Sequence, residues 1–172
     1  MLNKYTGLMS ETQWLTEREQ EVWRSFMAAF LGLNEQLARQ LQRDAGMPHA
    51  YYEILVALSE APDRTLRMSM LAGRRGSSRS RLSHAVARLE EVGWVRRQEC
   101  PTDKRGSFAV LTDKGFAALE KAAPGHVAEV REQLFDKLTP EQIDQLGEIS
   151  KALLIGADLA DLPSCPDLTG DR

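Results

Sequence analysis

Residues 78–93, Ser78-Arg79-Ser80-Arg81-Leu82-Ser83-His84-Ala85-Val86-Ala87-Arg88-Leu89-Glu90-Glu91-Val92-Gly93, decide how this chain is read. Put Leu82 at zero degrees on a helix of ~3.6 residues per turn. Ala85, Val86 and Leu89 then fall within about 60 degrees of it. Four apolar groups on one stripe predict a helix packed on a core. Gly93 stands just past its end, where left-handed backbone is wanted and a Cβ is not. The other side carries Ser80, Arg81, His84 and Arg88, with Ser83 flanking. Arginine can bond both acceptors of a guanine edge, and serine or histidine can donate to bases or phosphates. Ser77, Ser78 and Arg79 stand at the N-terminal end, where free N–H groups and the helix dipole favour a phosphate.

Working outward, Leu66 to Gly73 reads as a short helix with Leu66, Met70 and Leu71 apolar. Residues 74–77, with Gly76 among two arginines, read as a turn. After Gly93 the period shortens. Trp94–Glu99 and Ser107–Leu111 read as two strands. Between them, Cys100-Pro101-Thr102-Asp103-Lys104-Arg105-Gly106 is rich in turn formers and charge, so a hairpin is expected. The order is therefore short helix, turn, helix, two-stranded hairpin.

The chain has 172 residues and a net charge of −3, but the charge is uneven. From Arg64 to Arg105 there are eleven Lys/Arg against four Asp/Glu; the remainder carries eleven basic and twenty-one acidic residues. One basic block inside an acidic protein is the electrostatic footprint of a polyanion-binding face. A merely solvated face is the alternative that charge alone leaves open. Arg96 and Arg97 at the hairpin base, and Lys104 and Arg105 beside Gly106 at its tip, suit a narrow minor groove. Asp103 would repel phosphate unless paired, and is read as orienting Arg105 or Arg97.

On the N-terminal side, Thr16 and Glu19 form a capping box. Trp23, Phe26, Met27, Phe30, Leu31, Leu37, Ala38 and Leu41 then recur at helical spacing until Gly46. Pro48 opens a helix with Tyr51, Ile54, Leu55 and Leu58 on its apolar stripe, and Pro62 stops it. On the C-terminal side, Thr112 caps a helix to Ala123. Pro124-Gly125 is expected to break or kink it. The pattern resumes at Val127, Val130, Leu134 and Leu138. Thr139-Pro140-Glu141-Gln142 starts a last helix, expected to run to about Ala157.

These residues resemble the MarR family of regulators. The resemblance rests on Leu71-Ala72, Ser78 to His84, Arg88-Leu89-Glu90, Gly93-Trp94-Val95-Arg96-Arg97, Asp103-Lys104-Arg105 and Leu111-Thr112-Asp113-Lys114-Gly115, and spans about residues 18–157. It implies a mainly α fold with a small two-stranded β wing: a winged helix-turn-helix in a MarR-like, six-helix, dimer-forming architecture. Residues 1–15 are then a lead-in, 16–157 the domain and 158–172 a disordered tail. Within the domain, about 64–112 would bind DNA, and 16–46 plus 113–157 would form the dimer. The helix from Ser78 would enter the major groove. The family's wing arginine and aspartate match Arg105 and Asp103. The turn Gly73-Arg74-Arg75-Gly76 is more basic and Gly-rich than the family's usual one.

Partners implied are double-stranded DNA, a second copy of the chain and a small aromatic effector. Trp23, Phe26, Met27, His49, Tyr51 and Tyr52 are the candidate effector pocket, with plain core as the alternative. No cofactor is expected. Cys100 and Cys165 are too far apart in sequence to suggest a disulfide framework. His49, His84 and His126 lack metal-ligand spacing. No nucleophile elbow, phosphate loop or H-E-x-x-H motif suggests catalysis. No apolar run approaches the roughly 18 residues of a membrane helix, and the start lacks a secretory pattern, so a cytoplasmic regulator is expected. The competing reading is a protein-interaction module that kept the winged shape without DNA binding.

Overall fold

The computed structural model describes residues 12–74, 78–100 and 103–154, with backbone only at Arg74, Arg79, Cys100 and 103–105. The expected tail, most of the lead-in, the last residues of the final helix and Ser77 lie outside the described residues. Two compact units divide the chain, Met1–Glu35 and Gln36–Arg172.

In the first unit, helix α1 (Glu17–Ala45) begins at the expected box. The Thr16 N–H donates to Glu19 Oε2 at 2.7 Å, and the Glu19 N–H to Thr16 Oγ1 at 3.2 Å. These bonds pull the Glu19 carboxyl below its usual pKa, first through the Thr16 backbone and then through its hydroxyl. Val22, Trp23, Phe26 and Phe30 recur along this segment and are exposed; Trp23 keeps 54% of its surface. The Phe26 and Phe30 rings stack at 6.4 Å.

The second unit takes the end of α1 and holds the core. Its elements are α2 (His49–Ser59), β1 (Thr65–Arg67), α3 (Met68–Arg74), α4 (Arg79–Val92), β2 (Val95–Cys100), β3 (Asp103–Leu111), α5 (Asp113–Gln133) and α6 (Pro140–Leu154). Leu41, Ile54, Leu55 and Leu58 pack with Leu71, Leu82, Val86, Leu89 and Leu119. The predicted stripe of α4 is thus its buried face; Leu82, Val86 and Leu89 each contribute roughly 1.5–3 kcal/mol by leaving water. The Ser78 hydroxyl caps α4 by accepting from the Arg81 N–H, and Gly93 ends it at φ 79°. On α2 the buried tyrosine is Tyr52; Tyr51, expected on the stripe, is half-buried. Among the described residues no helix is long and apolar enough to cross a membrane.

Three expectations need correction. The sheet has three strands, in the order β1-β3-β2, all antiparallel. Thr65–Arg67, which takes in the first two residues of the helix expected from Leu66 to Gly73, pairs instead with Phe108–Val110, a partner over forty residues away. The strands also reach further than expected: β3 already begins at Asp103, which pairs with Cys100 across an irregularity at Glu99/Cys100. The hairpin residues Lys104, Arg105 and Gly106 therefore belong to a strand, not a loop. Finally, α5 runs through Pro124 without a break. Pro124 is exposed, so the hydrogen bond its ring removes can be replaced by water. The opposite face keeps Leu119 and Ala122 buried. Gly125 lets the end of α1 approach, since a Cβ there would lie 3.1 Å from Gln40 Nε2.

Leu111-Thr112-Asp113-Lys114-Gly115 forms a joint between four elements. Leu111 is buried. The Thr112 hydroxyl accepts from the Gly115 N–H at 3.0 Å, capping α5, and donates to the Gly93 carbonyl at 2.7 Å. Asp113 pairs with Arg64 at 3.2 Å, whose guanidinium lies 3.8 Å over the Phe116 ring. Lys114 Nζ donates to the Val92 carbonyl at 2.7 Å, at the negative end of α4. At Gly115 an added Cβ would overlap the Trp94 carbonyl oxygen and lie 2.8 Å from Leu111 Cδ1. Backbone cannot yield as a flexible side chain can. Gly115→Ala is therefore expected to lower stability by about 2 kcal/mol or more, read as a lower urea midpoint at unchanged slope.

Candidate nucleic-acid interface

Helix α4 presents the face that the sequence suggested. Ser80, Arg81, His84 and Arg88 are exposed and Ser83 is half-buried. Among the described residues, neither Arg81 nor His84 has an ion-pair or side-chain hydrogen-bond partner. Their polar groups are open to a ligand. Arg88 instead pairs with Glu91 at 2.7 Å, and that hydrogen bond pushes its guanidinium pKa further up. Ser78 is committed as the cap, while its neighbour Arg79 starts the helix.

On the wing, strand parity separates the two adjacent arginines. Val95 faces Leu111 and is buried, so residue 97 lies on the same, inward face. Arg97 pairs in register with buried Ala109 and turns its guanidinium to α4. Its Nη2 donates to the Ser83 carbonyl at 2.8 Å and the Ser83 hydroxyl at 3.2 Å. Its Nε stands 3.1 Å from Glu90 Oε2. Arg96 points the other way and donates to Gln98 Oε1 at 3.1 Å. Glu90 and the inward role of Arg97 are absent from the sequence reading. The parity of Val95 carried that signal, and counting two residues on would have found it. Asp103, Lys104 and Arg105 lie at the start of β3, next to half-buried Gly106; the proposed Asp103 pairing falls on side chains outside the described ones.

The effector candidates fall in both units. Trp23 and Phe26 are exposed in the first, and Met27 is half-buried there. In the second, Tyr52 meets the His126 ring at 4.4 Å, and His49 meets it at 5.7 Å. His126 Nδ1 and Gln40 Oε1 are buried and have no hydrogen-bond partner among the described residues. Burial first, then the neighbouring His49, pull the His126 pKa down to about 4, against smaller upward pulls from Glu53 and Glu129. Among the described residues, no group of three or more His, Cys, Asp or Glu could hold a metal ion.

Helix, turn, helix and antiparallel hairpin, with the second helix baring a basic face, define a winged helix-turn-helix. A family model described as MarR family matches residues 45–106. A MarR family transcriptional regulator of Streptomyces coelicolor, crystallised in complex with DNA, is 56% identical. Its match covers 89% of this chain and 96% of that one at a TM-score of 0.82. AbsC, another MarR family regulator of the same organism, is 43% identical over 84% of this chain and 97% of that one, TM-score 0.78. The transcriptional repressor MprA of Escherichia coli (strain K12) is 29% identical over 113 residues, 66% of this chain and 64% of that protein. The chain belongs to the MarR family of transcriptional regulators. The relatives named here are regulators of transcription.

The low pKa of His126 sets a pH dependence. The unfolded chain takes up a proton near pH 6.5, which the folded chain refuses until about pH 4. Stability is therefore full above about 6.5 and falls as pH drops from there to about 4. His126→Gln, which cannot titrate, should show a shallower fall in melting temperature across that window. Equal slopes in the two proteins would place the acid sensitivity elsewhere.

Proposed function

We propose that this chain is a homodimeric repressor that binds a pseudo-palindromic stretch of double-stranded DNA. The observation that carries the reading is the bare face of α4, where Arg81 and His84 are exposed and without a side-chain partner among the described residues, while Leu82, Val86 and Leu89 anchor the helix from behind. A rigid helix with open donors is what a major groove requires. The basic start of β3, at Lys104 and Arg105, then serves as the wing in the adjacent minor groove. The likeness to the DNA-bound Streptomyces coelicolor regulator supports this reading.

Dimerisation is supported by the apolar side chains left in water. Val22, Trp23, Phe26 and Phe30 are exposed in the first unit, and Ile149 and Leu153 in the second. A second copy is the partner that would cover them. Two recognition helices about one helical turn apart on the duplex then read related half-sites. A small aromatic effector is part of the proposal; its support is the His126 ring beside Tyr52, whose buried Nδ1 has no hydrogen-bond partner among the described residues.

Selection of bound sequences from random duplexes, with and without candidate aromatic ligands, tests binding, symmetry and response together. Arg105→Ala should weaken binding to every duplex and lower the salt slope by about 1. Arg81→Ala should instead cost about 1–3 kcal/mol on one base pair and relax preference there. Equal binding by wild type and Arg105→Ala across a salt series would reject the wing assignment. A monomer in sedimentation would reject the paired half-sites.

A further inference from the structure

We propose that Arg97 is a positioning residue: it ties β2 to α4, and so sets how wing and recognition helix meet the duplex, without touching the duplex itself. This rests on the DNA-binding function proposed above. Its sequence position, in a run of basic residues at the wing base, suggests a phosphate ligand. Its geometry does not. Arg97 lies on the inward face of the sheet, and its guanidinium spans two residues of α4, Ser83 and Glu90. Those two are seven residues apart, about two helical turns, and share one side of the helix.

The tie is double. Glu90 Oε2 stands 3.1 Å from the Arg97 Nε, and Glu90 Oε1 accepts from the Arg97 backbone N–H at 2.8 Å. One carboxylate therefore holds both the strand and its side chain. The Ser83 carbonyl, inside α4, uses a second lone pair for the Arg97 Nη2. The Arg97 and Glu90 side chains keep only 36% and 31% of their surface. Water screens such a pair less than a surface pair. The Glu90 charge also offsets the Arg97 charge, so little attraction is left for a phosphate. Ser83 belongs to the helix that bears Arg81 and His84, so the tie fixes the angle between that face and the hairpin. A planar fork is needed to reach both sites; an ammonium is a single point and cannot.

The test compares wild type with Arg97→Gln, Arg97→Lys and Glu90→Gln. Each is titrated against a selected operator and an unrelated duplex over a salt series, with amide exchange of Val95–Glu99 followed without DNA. As a tie, Arg97 predicts that all three variants lose roughly tenfold or more on the operator. Binding to the unrelated duplex should stay within about twofold, and the salt slope should change by less than about 0.3. Amide exchange in β2 should quicken in each. A phosphate contact predicts the opposite pattern: Arg97→Lys close to wild type, and Arg97→Gln weaker on every duplex with its slope lowered by about 0.9. It also predicts Glu90→Gln binding more tightly, because a negative charge is gone. That pattern, or unchanged exchange, overturns the proposal. Should Arg97→Gln not fold, Glu90→Gln carries the decision, since charge removal and loss of the tie have opposite signs there. A wild type that binds no duplex overturns the function itself; a wild type that binds, with Arg97→Lys its equal, overturns only this role.

Discussion

The close approach of Gly115 to the Trp94 carbonyl is the constraint around which this winged helix is built. The end of α4, the start of β2, the end of β3 and the start of α5 converge there. No side chain fits between them. Thr112 joins the same elements by hydrogen bonds to Gly93 and Gly115, and Lys114 reaches the Val92 carbonyl at the end of α4. The segment Leu111–Gly115 therefore fixes the helix, the hairpin and the long α5 to one another. A groove-reading helix needs such a fixed base, because base-edge hydrogen bonds hold only over donor–acceptor distances of about 2.7–3.2 Å and weaken steeply as their angles close.

The charge pattern reads differently once this base is in view. The basic block from Arg64 to Arg105 is not a uniform coat. Arg64 lies over Phe116 and pairs with Asp113. Arg88 pairs with Glu91, and Arg97 with Glu90. Among the described residues Arg81 and His84 stay open. Among the described side chains, part of the positive charge is thus held by carboxylates of the chain itself, and part is offered outward. A count of charges gives the first impression of a polyanion site; the partners of each guanidinium say which of them can serve it.

What could be read from the chain follows from the range of the interactions. The stripe of α4, its Ser78 cap and its Gly93 end are local, so spacing alone reveals them. The same holds for the boxes at Thr16 and Thr139. Strand β1 was not legible, because Thr65–Arg67 is too short to show alternation and its partner lies beyond α4. Pro124 does not break α5, because its local preference is overridden by the packing of Leu119 and Ala122 and by water on its open side. The basic run at the hairpin base does not by itself separate Arg97 from Arg96. The parity of Arg97 with Val95 does.

The wing leaves its sheet unclosed, with β1 at one side and β2 at the other. Open edges invite strand-to-strand association with other molecules. Here β1 is only three residues long, and β2 carries Arg96, Arg97 and Glu99 within six. Brevity guards one edge and charge guards the other. The same arginines that brace or present the hairpin also make its rim a poor template for aggregation.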